Sequence, residues 1–353
     1  VAGLVENKTF ALVDQVIPGF TLVEGTETFR FGKAVYPMKQ PGPTILGAMI
    51  YYPLYLINFT FDNHFDYASH LITFGTSSIM MALTSVLLYL TVLQITKSDK
   101  AAFWSAILLP FATLIWPYAG VSHHDIYGLF FGSLAIYMYL RADYAEGRSA
   151  WVLPGILSTL MLFFTMLPLT LPIALFIGTV MRGKIKNSLR FGVGMIIGFL
   201  PNAIFNQVMF GNPLLPPNLA GQVSDTMPLL SLPNLLSKLD FYLLSPESAL
   251  FYFAPICIFG IAGLWSYQSK NTWMAKVLIL IPLLQLLHIS SMETIGGYQY
   301  GPRYLLPIMM PLFIGVGYWL SQKHSRFLQV SFVITALYSA LVALIGALTT
   351  VMY

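Results

Sequence analysis

The chain has 353 residues, of which 57% are hydrophobic and only 9% are charged. A soluble domain carries about a quarter charged residues, so this composition excludes an ordinary soluble protein and indicates an integral membrane protein. The net charge of +4 comes from basic residues scattered among apolar runs, which argues against nucleic acid as a partner.

Residues 1–70 are predicted to form a segment outside the cytoplasm, followed by a transmembrane helical domain over 71–353. The segment carries two candidate proton acceptors, Asp14 and Glu24, because an enzyme that transfers a group to a hydroxyl needs a carboxylate within reach of it. Solvated surface acids look the same in sequence. Lys39 precedes a Pro-Gly-Pro turn, which predicts a cation held rigidly near the bilayer, suited to a phosphate.

An apolar piece from Ile45 to Phe61, interrupted by Pro53, predicts a juxtamembrane helix lying at the interface. Beyond it, a span needs about 20 apolar residues, and the shorter runs must borrow flanking residues or be re-entrant. About ten crossings, and an all-α polytopic bundle, are predicted. The runs are Leu71–Ile95, Ala101–Pro117, Ile126–Leu140, Trp151–Thr165, Pro168–Met181, Phe191–Met209, Ser248–Trp265, Val277–Ile289, Tyr304–Leu320 and Phe327–Val351.

The loops between these runs predict the orientation. Alternate loops, starting at Lys97–Lys100, collect twelve of the 18 basic residues but only three of the 14 acids. By the positive-inside rule this side is cytoplasmic. The long N-terminal segment and the loops at 117–125, 211–247 and 290–302 therefore face outside, and any chemistry is expected there.

The outer turn WPYAGVSHHDIYG, residues 116–128, places His123, His124 and Asp125 side by side after Tyr118. These groups bind protons, metal or phosphate, and they are candidates for lining a pocket. No HxxxH spacing is present, so no metal is predicted. In the alternative interpretation, the aromatic residues form an interfacial belt and Asp125 caps the following helix.

Two further span boundaries, FNQVMFGNPL at 205–214 and LLSPESALFYFAP at 243–255, contain Asn-Pro and Ser-Pro turn chemistry. Loop geometry explains both. Asn206 remains a candidate for hydrogen bonding to a sugar hydroxyl.

The stretch GGYQYGPRYLLP, residues 296–307, puts Arg303 at the mouth of an apolar run on the outer side, where basic residues are scarce. A guanidinium there is costly unless an anion meets it, and its shape suits a phosphate. We therefore predict that Arg303 binds a phosphate, with Tyr298, Tyr300 and Tyr304 as walls. The alternative is an interfacial Arg that reaches lipid head groups.

Taken in order, KQPGPTI, PYAGVSHHD, FNQVMFGNPL, LLSPESALFYFAP and GGYQYGPRYLLPIMMPL resemble segments of bacterial GT-C-type membrane glycosyltransferases. That group contains the protein O-mannosyltransferases and the lipid A aminoarabinose transferases. The resemblance runs over nearly the whole chain, and it rests on order and spacing rather than on one specific motif.

The resemblance implies a polyprenyl-phosphate sugar as donor, transferred with inversion to a glycan, lipid or protein acceptor on the outer membrane face, without a cofactor. It implies a place in cell-envelope glycan biosynthesis and location in a bacterial plasma membrane. It also implies Lys39 and Arg303 near the donor phosphate and His124 in the pocket. In this group a catalytic Asp follows a first span, and VAGLVENKTF resembles the sequence just after that point, so the span and that Asp are expected upstream of Val1.

Two other classes of function stay open at this stage. A lipid or polysaccharide transporter or flippase would carry charged or broken helices at mid-membrane; here the charges lie at the ends of the runs, which favours an enzyme. A non-catalytic membrane scaffold subunit is the third hypothesis.

Overall fold

The computed structural model describes residues 1–12, 28–31, 33–144, 150–217, 235–292 and 300–349, which form a helical bundle with one β-hairpin. Its α-helices are α1 (Ala2–Glu6), α2 (Pro41–Leu56), α3 (Phe61–Thr73), α4 (Ile79–Thr96), α5 (Asp99–Phe111), α6 (Ile115–Ala119), α7 (His124–Tyr144), α8 (Val152–Leu160), α9 (Thr170–Met181), α10 (Ile185–Phe210), α11 (Leu235–Leu243), α12 (Leu250–Phe253), α13 (Cys257–Tyr267), α14 (Thr272–Ser291), α15 (Met309–Leu320) and α16 (Arg326–Leu348). The predicted all-α polytopic class is confirmed.

The hairpin, β1 (Thr28–Phe31) and β2 (Ala34–Pro37), was not predicted from the sequence. Its strands are antiparallel, with Thr28 opposite Pro37, and they are rich in the β-branched and aromatic residues that favour strands. The chain leaves β2 and enters α2 within four residues, with Pro41 as the first helical residue, where its fixed φ suits the helix. The hairpin thus delivers Lys39 to the start of α2.

The predicted juxtamembrane helix is α2, which contains Pro53 near its end. After it, α3, a π-helical turn at Phe74–Ser78 and α4 follow one another directly. They form one helical run of 36 residues, Phe61–Thr96. The boundary proposed at residue 70 lies inside this run.

Five helical segments of the described residues are long and apolar enough to cross a membrane, and three shorter apolar helices accompany them. Each of the ten predicted apolar runs falls on helix for most of its length. The chain is an integral, multi-pass membrane protein, while the number of crossings stays a prediction. The five long segments are Phe61–Thr96, Ile185–Phe210, Thr272–Ser291, Arg303–Leu320 and Arg326–Leu348.

The segment Arg303–Leu320 occupies the centre of the bundle. Its most apolar window is 83% buried inside the protein, against 28–44% for the other four long segments. It begins with a 3₁₀-helix, Arg303–Ile308, and continues as α15. A side chain at its start is therefore held by protein rather than by lipid.

Glycines bring two pairs of helices into close contact. A Cβ on Gly263 of α13 would lie 1.9 Å from the carbonyl oxygen of Gly315 of α15, and one on Gly194 of α10 would lie 2.1 Å from that of Val152 of α8. Small residues allow this backbone approach, which is a main source of helix association in membranes. The first pair fixes α15, and with it the segment that carries Arg303.

Candidate functional site

Arg303 is presented by a tight turn. Gly301 has φ +61°, a conformation that favours glycine, and Pro302 (φ −80°, ψ 66°) is the centre of an inverse γ-turn. The Arg303 N–H donates to the Gly301 carbonyl at 2.9 Å, closing that turn. The chain reverses here and enters the 3₁₀-helix, so the Gly-Pro-Arg sequence fixes the direction in which the guanidinium leaves the backbone.

Gln285 of α14 anchors this turn to the rest of the bundle. Its Nε2 donates to the carbonyls of Leu167 at 3.2 Å and Tyr304 at 3.3 Å, and its Oε1 accepts from Thr170 Oγ1 at 2.7 Å. The side chain is 1% exposed. Both of its amide hydrogens and its oxygen are thus used to hold the 3₁₀-helix against α14 and the segment before α9.

The guanidinium of Arg303 is buried, with 7% of the residue exposed. Its Nη1 lies 3.2 Å from Nε2 of His123, and its Cζ lies over the Tyr304 ring at 5.1 Å from the centroid. Its Nε is buried without a hydrogen-bond partner in the described part of the chain. A buried cationic donor left unsatisfied is costly, so this nitrogen is available to a ligand.

His123 lies between the guanidinium and Asp125. A guanidinium has donors only, so Nε2 is the acceptor in the contact with Arg303. Nδ1 lies 3.6 Å from Asp125 Oδ2 and 3.3 Å from the Asp125 backbone nitrogen, whose N–H donates to it. His123 therefore links a buried cation to the residue that carries the buried carboxylate.

Asp125 carries the negative charge at this place. It is 3% exposed, its Oδ1 accepts from Thr165 Oγ1 at 3.0 Å, and His124 Nε2 lies 3.4 Å from the same oxygen. It sits in the first turn of α7, where a carboxylate is favoured by the helix dipole. The His124 ring stacks on His123 with centroids 4.5 Å apart.

Lys39 belongs to the same region. Lys39 and Arg303 both interact electrostatically with His124. The start of α2 therefore lies near the start of α7. Behind it, a Cβ on Gly42 would lie 2.6 Å from the Phe163 carbonyl, so the glycine of the Pro-Gly-Pro turn allows α2 to dock closely. We call Lys39, His123, His124, Asp125 and Arg303 the charge cluster.

Two tyrosines connect the charge cluster to the neighbouring turns and helices. The hydroxyl of Tyr118 donates to the Tyr300 carbonyl at 2.6 Å, and its ring packs at a tilt on His123 at 4.8 Å. The hydroxyl of Tyr300 donates to the Val342 carbonyl at 2.5 Å, and its ring meets Phe253 edge to face. These contacts tie the outer turn before α7 to the turn that carries Arg303.

The remaining candidates are placed as follows. Asn206 is buried in α10 and donates to the Pro213 carbonyl at 3.3 Å, while its Oδ1 has no hydrogen-bond partner in the described residues. Asp14, Glu24 and Tyr298 lie outside the described residues. Their predicted roles stay predictions.

Two residues near the cluster were not singled out from the sequence. Tyr242 of α11 is fully buried, interacts electrostatically with Arg303 and Tyr304, and has a hydroxyl without a hydrogen-bond partner in the described residues. Gln285 is the other. A lone Gln within an apolar span is a detectable signal, since polar groups there need partners, whereas one more Tyr in an aromatic-rich chain is not.

The cluster also has to be considered as a metal site. Ligand atoms of His123, His124 and Asp125 lie within 4.8 Å of one another. However, both ring nitrogens of His123 already face polar partners, and Arg303 places a positive charge 3.2 Å from one of them. A second cation at this point would be repelled, so the arrangement favours an anionic ligand.

Comparisons with known proteins agree with this fold. A family model described as dolichyl-phosphate-mannose-protein mannosyltransferase matches residues 37–178, which include Lys39, His123, His124 and Asp125. A crystal structure of ArnT from Cupriavidus metallidurans bound to undecaprenyl phosphate superposes with a TM-score of 0.55 at 16% sequence identity, covering 84% of this chain and 52% of that chain. The chain thus spans about half the length of that ArnT chain. A search of curated proteins found no significant match.

The family model matched over part of the chain and the shared polytopic fold agree with the GT-C-type resemblance noted from the sequence.

Proposed function

We propose that the protein is a membrane glycosyltransferase that moves a sugar from a polyprenyl-phosphate donor to an acceptor on the extracytoplasmic face. The family model is described by a lipid-phosphate-linked sugar donor, and the ArnT structure of similar fold was solved with undecaprenyl phosphate. The observation that carries the proposal is the buried Arg303 at the start of the central helical segment, whose Nε has no hydrogen-bond partner among the described residues.

The charges of the cluster suit a phosphate. Arg303 and Lys39 contribute two cations to the surroundings of His124, against one carboxylate, Asp125, so a site with neutral histidines has net positive charge. Because Asp125 is already engaged with Thr165 and His124, it offsets part of the repulsion between the cations and leaves Arg303 Nε free. A phosphate in this place would receive a charge-assisted hydrogen bond from it.

The same charges would assist the reaction. As the acceptor oxygen bonds to C1 of the sugar, the C1–O bond to phosphate breaks and its electron pair stays on the phosphate oxygen. Fixed cations stabilise that developing charge more than the ground state, so no metal is required in this mechanism. Attack from the face opposite the phosphate gives inversion.

The acceptor's proton needs a base. Asp125 is a poor candidate, because it is buried and its oxygens face Thr165 and the two histidines. The candidates for the base are therefore the acids of the N-terminal region, Asp14 and Glu24.

The test measures sugar transfer by membranes that contain the full-length protein. The donors are labelled polyprenyl-phosphate sugars, offered as a panel of pentoses, hexoses and amino sugars. We expect transfer by the wild type, a loss of roughly 100-fold or more in kcat/KM for Arg303→Gln, and an unchanged rate for Arg326→Gln, which removes an exposed guanidinium. Absence of transfer from every donor, with binding retained, would point instead to a flippase or a scaffold.

A further inference from the structure

At the end of the bundle opposite the charge cluster, a surface cavity of about 540 Å³ lies between α4 and α7 and is largely open to the outside. Ser78, at the start of α4, bonds to Ala119 near the cluster, and α7 begins at His124. Both helices therefore run away from the cluster and bring their C-terminal ends together. The cavity lies outside everything that the proposed reaction uses.

The lining follows one stripe on each helix. At the end of α4 it consists of Leu90, Leu93, Gln94 and the C-cap residue Lys97, and on α7 of Tyr137, Arg141 and Tyr144. Residues 90, 94 and 97, and residues 137, 141 and 144, have the spacing i, i+4, i+7, which places each set on one face of a helix. Leu90 lies seven residues before Lys97, about 10 Å deeper along the axis, so the cavity is basic and polar at its mouth and apolar below.

The two cations at the mouth are exposed, and neither Lys97 nor Arg141 forms an ion pair with a described residue. Arg141 is positioned by the Tyr137 ring, with Cζ 5.9 Å from its centroid, and Lys97 is fixed in a left-handed conformation at the end of α4. Tyr144 also interacts with Tyr267 of α13, so that helix lies beside this end of α7.

We propose that this cavity binds the head group of an anionic phospholipid, with its acyl chain running along Leu90. Lys97 and Arg141 lie on the side where the basic loops concentrate, which is the side predicted to be cytoplasmic, and anionic lipids populate that leaflet. A cavity between the ends of α4 and α7 that is basic at its mouth and apolar below matches a phosphate with an attached acyl chain. The positive-inside rule alone accounts for the charges but not for the cavity around them.

The experiment titrates the purified full-length protein in detergent with phosphatidylglycerol, phosphatidylcholine or inorganic phosphate, and counts bound molecules by native mass spectrometry. Lys97→Gln/Arg141→Gln is compared with Lys323→Gln/Arg326→Gln, which removes the same charge from the same predicted side away from the cavity. Arg303 is intact in both variants, so binding at the charge cluster is common to them.

We expect phosphatidylglycerol to bind the wild type and the Lys323/Arg326 variant alike, and the Lys97/Arg141 variant roughly 25-fold more weakly, since each cation near an anionic lipid surface is worth about a fivefold change. Equal loss in both variants, or equal binding of phosphatidylcholine, would overturn the proposal. Saturation by inorganic phosphate with no preference for the lipid would overturn the assignment to a lipid and indicate a site for soluble anions. Unchanged melting temperatures of the three proteins in lipid-free detergent exclude misfolding as the cause.

Discussion

Arg303 Nε and the Tyr242 hydroxyl are buried without hydrogen-bond partners in the described residues, as are the acceptor oxygens Asp125 Oδ2 and Asn206 Oδ1. Arg303 and Tyr242 also interact electrostatically with each other. Both can donate a hydrogen bond, and buried donors without partners favour an acceptor such as a phosphate oxygen. This is the residue-scale reason for placing an anion beside α11 as well as beside α7.

The Tyr242→Phe variant tests the role of this hydroxyl in phosphate binding with little expected effect on folding. The hydroxyl has no hydrogen-bond partner in the described residues, so its removal should change the melting temperature little, while a hydrogen bond to a charged group is worth about 1.5–3 kcal/mol. We expect polyprenyl phosphate to bind this variant at least tenfold more weakly. Tyr252→Phe, at a half-exposed position, serves as control, and equal binding by both variants would remove Tyr242 from the site.

Gly301→Ala tests the turn that presents Arg303. The added Cβ meets a left-handed backbone with φ +61° and the edge of the Phe253 ring at 3.0 Å. The conformation alone costs an L-residue about 1–2 kcal/mol. We expect a lower melting temperature together with weaker phosphate binding. The same substitution at Gly192, whose nearest neighbour would be 3.6 Å away, should do neither.

Much of the cluster could be predicted from the sequence, but its assembly could not. Arg303 stands out as a cation on the side where cations are scarce, and the His-His-Asp turn stands out by composition. Nothing local indicates that His123 and Arg303 touch, because 180 residues separate them. Their contact depends on how α7 and the central segment pack.

At the scale of elements, the 3₁₀-helix that carries Arg303 depends on one amide side chain. Gln285 satisfies two backbone carbonyls and a hydroxyl inside the bundle. Replacing it with Leu leaves those groups without that partner in a medium that offers no water.

We expect Gln285→Leu to lower stability by about 2–3 kcal/mol and to reduce transfer activity, as measured by thermal unfolding in detergent and by the donor assay. Gln207→Leu, on an exposed face of α10, is the matched control. An active, equally stable Gln285→Leu protein would show that the 3₁₀-helix holds its place without this side chain.

At the opposite end, a second anchoring point joins three helices. Arg182 pairs with Asp143 at the end of α7 and lies over the Trp273 ring of α14 at 4.7 Å, whose Nε1 donates to the Gly178 carbonyl of α9 at 2.8 Å. None of these residues was singled out from the sequence. Ion pairs and cation–π contacts between distant helices leave no periodic signal.

At the scale of the molecule, the bundle is assembled by close backbone contacts rather than by a hydrophobic force between helices, since lipid is as apolar as the side chains. Gly263 and Gly315 are the closest of these contacts. The apolar runs therefore predicted which segments are helices. The glycines at the contacts determine which helices pack together, but their positions in the sequence do not indicate which helix each one contacts.

Gly263→Ala should weaken the bundle as a whole. Its Cβ would lie 1.9 Å from a backbone oxygen that has no flexible end to move, so α13 and α15 must separate. Overpacking of this kind costs about 1–3 kcal/mol. We expect a lower melting temperature than for Gly192→Ala, and an unchanged melting temperature would show that the two helices slide apart at no cost.

Arg303 is buried at the start of the central helical segment, and we propose that it binds a lipid-linked phosphate there. The binding of polyprenyl phosphate, compared with that of the matching polyprenol, by wild type and by Arg303→Gln tests this role directly. The structure predicts that the wild type prefers the phosphate by 100-fold or more, on the order of two charge-assisted contacts, and that Arg303→Gln loses most of that preference. Equal affinity of the wild type for the two lipids, or a preference that survives in Arg303→Gln, would contradict the account.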